Sequence, residues 1–224
     1  MKIDVLKLTK YSRMKTTYSL GKAVEMGIDE AGRGCFWGPL YAGAVIWPEE
    51  DEWTDKQREL APKVNDSKKI SEKKRDLIAK EIGEALTYCG IGRVDASEID
   101  EHGMTWANQE AFRRAMRNCY VDKLPDLLLI DGILGLPKED GVKYQCIAGG
   151  DGLYLPIAAA SILAKVSRDN FVKEWSSSSE ENKAVEARYG LLKNKGYGTA
   201  KHREGLKAHG AHEGHRKQFI RNWL

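Results

Sequence analysis

Gly27-Ile28-Asp29-Glu30-Ala31-Gly32-Arg33-Gly34 closes an apolar run with two adjacent carboxylates and then a Gly-Arg-Gly turn. Neighbouring acids repel, and an acidic surface turn would explain them if they stood alone. Two further acids hold equivalent places. The all-apolar run LLLI at 127–130 ends at Asp131, and a second apolar stretch at 144–148 leaves through Gly149-Gly150-Asp151. Each of Asp29, Asp131 and Asp151 thus follows an apolar strand, where open α/β sheets place their ligand crevice. Carboxylates that converge raise one another's pKa unless a cation neutralises them. Oxygen-only donors of this kind suit magnesium or manganese. Glu30 needs a separate reason, because successive strand residues point to opposite faces. The glycines after it predict that the strand already breaks there, letting the longer side chain swing toward Asp29. Gly32, Arg33 and Gly34 would let backbone approach a ligand closely.

Outward from this stretch, residues 23–28 read as a strand and LYAGAVIW (40–47) as its hairpin partner, with residues 48–66 a polar loop. A helix opens at Ser71 with Leu77, Ile78, Ile82 and Leu86 at helical spacing. A third strand is expected at 88–94, a helix at 105–119, strands at 127–130 and 144–148, and an Ala-rich helix at 157–175 able to pack closely on the sheet. No internal repeat is visible. Strands first in a row and then alternating with helices argue an α/β domain with a mixed sheet. The expected division is an N-terminal extension (1–22), a catalytic domain (23–175) and a basic helical C-terminal extension (176–224).

Composition narrows the function. At 224 residues with 42% hydrophobic content the chain can bury a full core without covalent staples. Cys35, Cys89, Cys119 and Cys146 are far apart, with no C-x-x-C pair and no secretory leader, which predicts reduced thiols in a cytoplasmic protein. No apolar run approaches membrane-spanning length, so a membrane role is set aside. The net charge of +3 hides an asymmetry: residues 193–224 carry eight Lys or Arg against two Glu. A cationic tail on a carboxylate-bearing body suits a protein that holds a polyanion and works on it.

GIDEAGRG with Gly38-Pro39 soon after, NDSKK at 65–69, LLLIDG at 127–132, GGD-x5-IAAASILAKVSRD at 149–169 and KGYGT at 195–199 together resemble the type 2 ribonuclease H family, closest to bacterial ribonuclease HII. The likeness runs from about residue 23 to 219, with the motifs in the family's order. It implies a ribonuclease H-like fold: a mixed five-stranded sheet flanked by helices, with a helical C-terminal extension. By motif, Asp29, Glu30, Asp131 and Asp151 would be the metal-binding catalytic acids. Gly32, Arg33 and Gly34 would read a ribose 2′-hydroxyl through the backbone, and Tyr197 would contact the adjoining deoxyribose. Asn65, Ser67, Lys68, Ser161, Lys165 and Lys195 would hold flanking phosphates or sugars. Arg168 and Asp169 are expected to support the fold through an ion pair. Asn194, Gln218 and the bulky pair Phe36-Trp37 depart from the family pattern without removing a metal ligand.

The resemblance implies endonucleolytic cleavage 5′ of a ribonucleotide in duplex DNA or in RNA/DNA hybrids, removing misincorporated ribonucleotides. Two Mg2+ or Mn2+ ions about 4 Å apart would leave 3′-hydroxyl and 5′-phosphate ends. The 2′-hydroxyl, both donor and acceptor, is what separates RNA from DNA at one position. A monomer is expected, and no clear sliding-clamp peptide is visible. Three rivals stay open: broad hybrid cleavage without junction preference, a non-catalytic hybrid-binding module, and a zinc or acid/base site built from His202, His209, His212 and His215.

Overall fold

The structure, a computed structural model, describes residues 14–19, 23–120 and 124–224. Most of the expected N-terminal extension (1–13 and 20–22) therefore lies outside the described residues. Five strands form one mixed sheet. β1 (Glu25–Ala31) and β2 (Leu40–Ile46) are antiparallel, and β3 (Cys89–Val94) continues antiparallel on β2. β4 (Leu127–Asp131) lies parallel to β1 on its other side, and β5 (Tyr144–Ile147) parallel to β4, giving the order β3-β2-β1-β4-β5.

The helices are α1 (Asp55–Leu60), α2 (Glu72–Ala85), α3 (Ala96–His102), α4 (Met104–Cys119), α5 (Leu155–Ser177), α6 (Glu180–Tyr189), α7 (Leu191–Asn194), α8 (Ala200–His209) and α9 (Lys217–Ile220). α4 covers one sheet face and α5, backed by α2, the other. α4 reaches the sheet through Ala107, Ala111, Phe112, Ala115, Met116 and Cys119, a stripe at helical spacing. It lies closest over β3 and β2, where a Cβ on Gly92 would be 2.0 Å from the Ala111 carbonyl oxygen, and shares one apolar cluster with Met26 and Ile28 of β1 and Leu128 and Ile130 of β4. The opposite pleat carries Gly27 and Gly43 against α5. A Cβ on Gly43 would lie 2.2 Å from the Ala160 carbonyl oxygen, so helix and sheet backbones touch directly here, as the Ala-rich run predicted. Among the described residues no helix is long and apolar enough to cross a membrane.

A third apolar cluster, Trp37, Val172, Val185, Tyr189, Leu191, Leu206 and Ile220, ties the C-terminal helices to the end of α5 and to the β1–β2 connection. The C-terminal segment thereby roofs the β1–β2 connection that follows Asp29 and Glu30.

Several expectations change. β1 does not stop at Ile28: pairing with β2 continues through Asp29↔Gly43, Glu30↔Ala42 and Ala31↔Tyr41, so the strand does not break at Glu30. The hairpin partner supplies the backbone bonds that acidic residues would not have suggested. The region 48–66 is not all loop. α1 starts there on a reciprocal capping box between Thr54 and Gln57. α3 follows β3 on a second box, Asp95 with Glu98. α5 begins two residues before Ile157, with a proline in its first turn, where the missing N–H has no intrahelical acceptor to lose.

Candidate active site

The pleat sorts the acids before any side chain is considered. Even positions of β1 face α4 with Met26 and Ile28, and odd positions face α5. Asp29 therefore projects toward α5, where the Ser161 hydroxyl lies against it, and Ser161 Oγ stands 3.0 Å from Ser67 Oγ. Asp131 ends β4, the parallel neighbour of β1. Asp151 sits in the short turn Gly150–Gly152 that leads into α5, and its amide donates to Asp131 Oδ1 at 3.4 Å. Donor oxygens of Asp29, Asp131 and Asp151 all lie within 4.8 Å of one another, the one such group of potential ligands among the described residues.

The electrostatics of this group call for a cation. Burial, then the charge of Glu30, pushes the Asp29 carboxyl up from 3.8 to about 8, although Ser161 pulls the other way. Burial and then Asp151 raise Asp131 as well. Carboxyls this strained toward neutrality ionise when a divalent cation is beside them. The donors are all oxygen, which fits a hard cation such as magnesium or manganese.

Glu30 is not part of that cluster of three. It points to the α4 face, with Arg33 Nη1 3.8 Å away on the open side and the Asn108 amide of α4 on the inner side. Burial raises its pKa, and Asp131 also raises it, so Glu30 remains electrically coupled to the cluster from across the pleat. The expected strand break that would free Glu30 does not occur, because β1 is still paired at this position, and Glu30 stays outside the group of three.

The Gly-Arg-Gly turn is held from beneath. Gly32 adopts φ 92°, a backbone conformation that L side chains resist, and a Cβ there would meet Arg168 Nε at 2.0 Å. Arg216 Nη1 donates to the carbonyls of Gly32 (2.7 Å) and Arg33 (3.0 Å), and its Nε to Gly38 (2.9 Å). Cys35 N closes the turn on Gly32 O at 3.2 Å, leaving Arg33 and Gly34 as its central residues. A Cβ on Gly34 would meet nothing within 4 Å, so that position borders open space. Tyr197 is brought beside this turn by a bridge between Cys35 and Tyr197 and keeps 42% of its surface exposed.

The other expected contacts divide. Lys68 Nζ reaches Asp151 Oδ2 at 3.5 Å, and Ser161 stands beside Asp29 with Ser67 bonded to it in turn. Asn65 caps its own neighbour, its Oδ1 accepting from Asp66 N at 2.8 Å. Lys165 is turned onto Asp169 (2.7 Å) and Lys195 onto Glu72 (3.5 Å). Asp169 also pairs with Arg75 at 3.4 Å. Arg168, fully buried, forms no pair with Asp169: successive helical residues diverge, and its guanidinium instead donates to the carbonyls of Pro39 (3.1 Å), Lys195 (2.6 Å) and Trp37 (3.0 Å).

His202, His212 and His215 are occupied internally, and His209 is exposed. His202 Nε2 and His215 Nε2 are 2.9 Å apart, His202 Nδ1 is 3.0 Å from the Tyr197 carbonyl, and His215 Nδ1 accepts from His212 N at 2.9 Å. Burial lowers the pKa of His202, and that of His215 to about 4, so both rings stay neutral. They support the roof over the turn, and no histidine joins a metal-ligand group among the described residues. Sequence reasoning did not single out Asn108 or Arg216. Arg216 carries no local pattern, and Asn108 reads as one more polar helix position.

The ribonuclease HII family model matches residues 26–223. Ribonuclease HII of Prochlorococcus marinus (strain AS9601) is 39% identical over 203 residues, covering 91% of this chain and 92% of the relative. Among solved structures, the ribonuclease HII in the PCNA:RNase HII complex from Archaeoglobus fulgidus superposes with a TM-score of 0.67 at 25% identity, covering 89% of this chain and 96% of that one. Ribonuclease H2 from Pyrococcus horikoshii OT3 gives 0.66 at 25% identity, with the same coverage. Sheet order, flanking helices and carboxylate cluster define the class, a nuclease of ribonuclease H-like α/β fold. The chain belongs to the ribonuclease HII family. It is thus an endoribonuclease, of a hydrolytic, metal-dependent family that acts on RNA/DNA substrates.

Proposed function

We propose that this chain hydrolyses the phosphodiester on the 5′ side of a ribonucleotide embedded in duplex DNA or in an RNA/DNA hybrid, leaving 3′-hydroxyl and 5′-phosphate ends. The observation that carries this reading is the convergence of Asp29, Asp131 and Asp151, remote in sequence, within 4.8 Å beside a Gly-Arg-Gly turn whose Arg33 and Gly34 are exposed. These three acids and Glu30 would hold two Mg2+ or Mn2+ ions with substrate. When bound, such ions make a water nucleophilic and stabilise the departing oxygen.

The chain's own residues supply position and choice. The Arg33 and Gly34 amides, unused within the turn, can bind a ribose 2′-hydroxyl without a side chain in the way. Arg216 and Arg168 keep that backbone rigid. The Tyr197 ring would rest on the next sugar and favour deoxyribose there. Lys68, with Asn65, Ser67 and Ser161, would steady phosphates beside the acids. Lys165 and Lys195 would join them by leaving Asp169 and Glu72. The division into an extension (1–22), a catalytic domain (23–175) and a basic extension (176–224), a monomeric state and a cytoplasmic location belong to the same reading.

The test is a nicking assay on duplex DNA with one ribonucleotide, run beside a full RNA/DNA hybrid, with and without magnesium. Magnesium-dependent cleavage 5′ of the single ribonucleotide, lost by at least a hundredfold in Asp131→Asn, is expected. Cleavage of the hybrid alone would favour the broad hybrid nuclease. Full turnover in Asp131→Asn would refute the metal assignment, and tight binding without cleavage by the unaltered chain would favour the binding module.

A further inference from the structure

Asn108 is an anomaly in the α4 layer. It lies among Ala107, Ala111, Phe112 and Ala115, is fully buried, and neither its Nδ2 nor its Oδ1 completes a hydrogen bond. A buried amide without partners costs stability, and asparagine is a poor interior helix residue. An apolar residue of similar size would serve the core better, so the amide needs a use elsewhere. The side chain it faces is Glu30, which the pleat of β1 places on this same face. Directly across the ladder from Glu30 is Ala42, which offers no polar atom. The carboxyl thus lies between Arg33 at the open rim and the Asn108 amide in the interior.

We propose that Asn108 is a positioning residue for the metal centre: its unpartnered side-chain amide is the donor that orients the Glu30 carboxylate when a divalent cation is bound, so that Glu30 completes the acid set from the α4 side. An aspartate at 108 would add repulsion, and an alanine would offer no donor. Nδ2–H is the group of the required kind that α4 presents here. Partners of ligands behave in this way generally: they fix orientation, and their loss weakens the metal about tenfold or more.

This inference rests on the metal reading above and is tested so that the two can fail separately. Unaltered protein, Asn108→Leu, Asn108→Ser, Glu30→Gln and the double variant Asn108→Leu/Glu30→Gln are compared without nucleic acid. Calorimetric titration with Mn2+ and thermal melting in EDTA are the readouts, followed by nicking as a function of magnesium. Asn108→Leu is expected to melt no lower than the unaltered protein, to bind Mn2+ about tenfold more weakly, and to need proportionately more magnesium for half-maximal nicking while approaching full rate at saturation. Asn108→Ser, which keeps a donor, recovers part of the affinity. In the Glu30→Gln background Asn108→Leu adds less than about twofold, because the group it positions is gone. The inference is overturned if Asn108→Leu binds Mn2+ as tightly as the unaltered chain, if its loss persists in full beside Glu30→Gln, or if it melts well below the unaltered chain, which would make Asn108 a packing residue. An unaltered chain that binds no Mn2+ and nicks without divalent cations would instead remove the metal reading itself.

Discussion

Without metal, Asp29 is a burden on the fold, so Asp29→Asn should stabilise the protein while abolishing cleavage. The carboxyl is 6% exposed and titrates near 8 instead of 3.8, first because it is buried and second because Glu30 is beside it. Between those two values the folded chain retains a proton that the unfolded chain has released, and stability therefore falls as pH rises across the window. At about 1.36 kcal/mol per pH unit, the interval from 3.8 to neutrality corresponds to ~4 kcal/mol if Asp29 titrates alone. Glu30 and Asp131 share the repulsion, and an asparagine amide brings hydrogen-bonding needs of its own, so about half of this, ~2 kcal/mol, should return on neutralisation. For a chain of this length that is a rise in melting temperature of about 4–8 °C. Circular dichroism melts in EDTA would show the two proteins close together near pH 4, with the gap opening toward about pH 8. Saturating magnesium should raise the melting temperature of the unaltered protein and leave Asp29→Asn where it was. An Asp29→Asn variant that melts at or below the unaltered chain at neutral pH in EDTA would falsify the claim that the acids are held against their own repulsion.

Two further outcomes follow from the roof over the turn. His215 is buried with its pKa lowered from 6.5 to about 4, so below 6.5 the unfolded chain takes up a proton that the folded ring refuses. Stability should therefore drop as pH falls from 6.5 toward 4, by ~3 kcal/mol from this residue; a urea midpoint that stays flat across that window counts against neutral rings. Arg168→Ala strands the carbonyls of Pro39, Lys195 and Trp37 and should cost ~3 kcal/mol or more in equilibrium unfolding. A loss under about 1 kcal/mol would mean that water replaces the guanidinium without difficulty.

What could be read in the sequence was governed by how local the physical cause is. Asp131 was legible because an apolar run that ends directly on an acid marks a strand end whatever lies beside it, and Asp151 because a Gly-Gly turn carries it straight out of an apolar run. Asp29 was identified as a residue but misplaced in its setting. Its strand persists because β2 supplies hydrogen bonds as far as Ala31↔Tyr41, a non-local cause. α1 and α3 were missed although both carry capping boxes, since neither is long enough to show apolar periodicity. Lys165 stands one turn from Ser161 as its spacing required, yet Asp169 a further turn on captures its amine. Arg216 and Asn108 were out of reach: one acts across 184 residues on the Gly32 carbonyl, and the other matters only because β1 turns Glu30 toward it.

The adjacency of Asp29 and Glu30 acquires a physical sense from this last point. Two successive acids on a paired strand are carried to opposite faces, so the pleat limits a repulsion that would be severe were both on one side. Each is then rooted under a different helix, Asp29 beside Ser161 of α5 and Glu30 beside Asn108 of α4. Full assembly of the acid set therefore demands that both helices be docked on the sheet. A chain in which either layer has loosened keeps at most part of the cluster, so metal binding and the integrity of the two-faced core are linked through a single dipeptide.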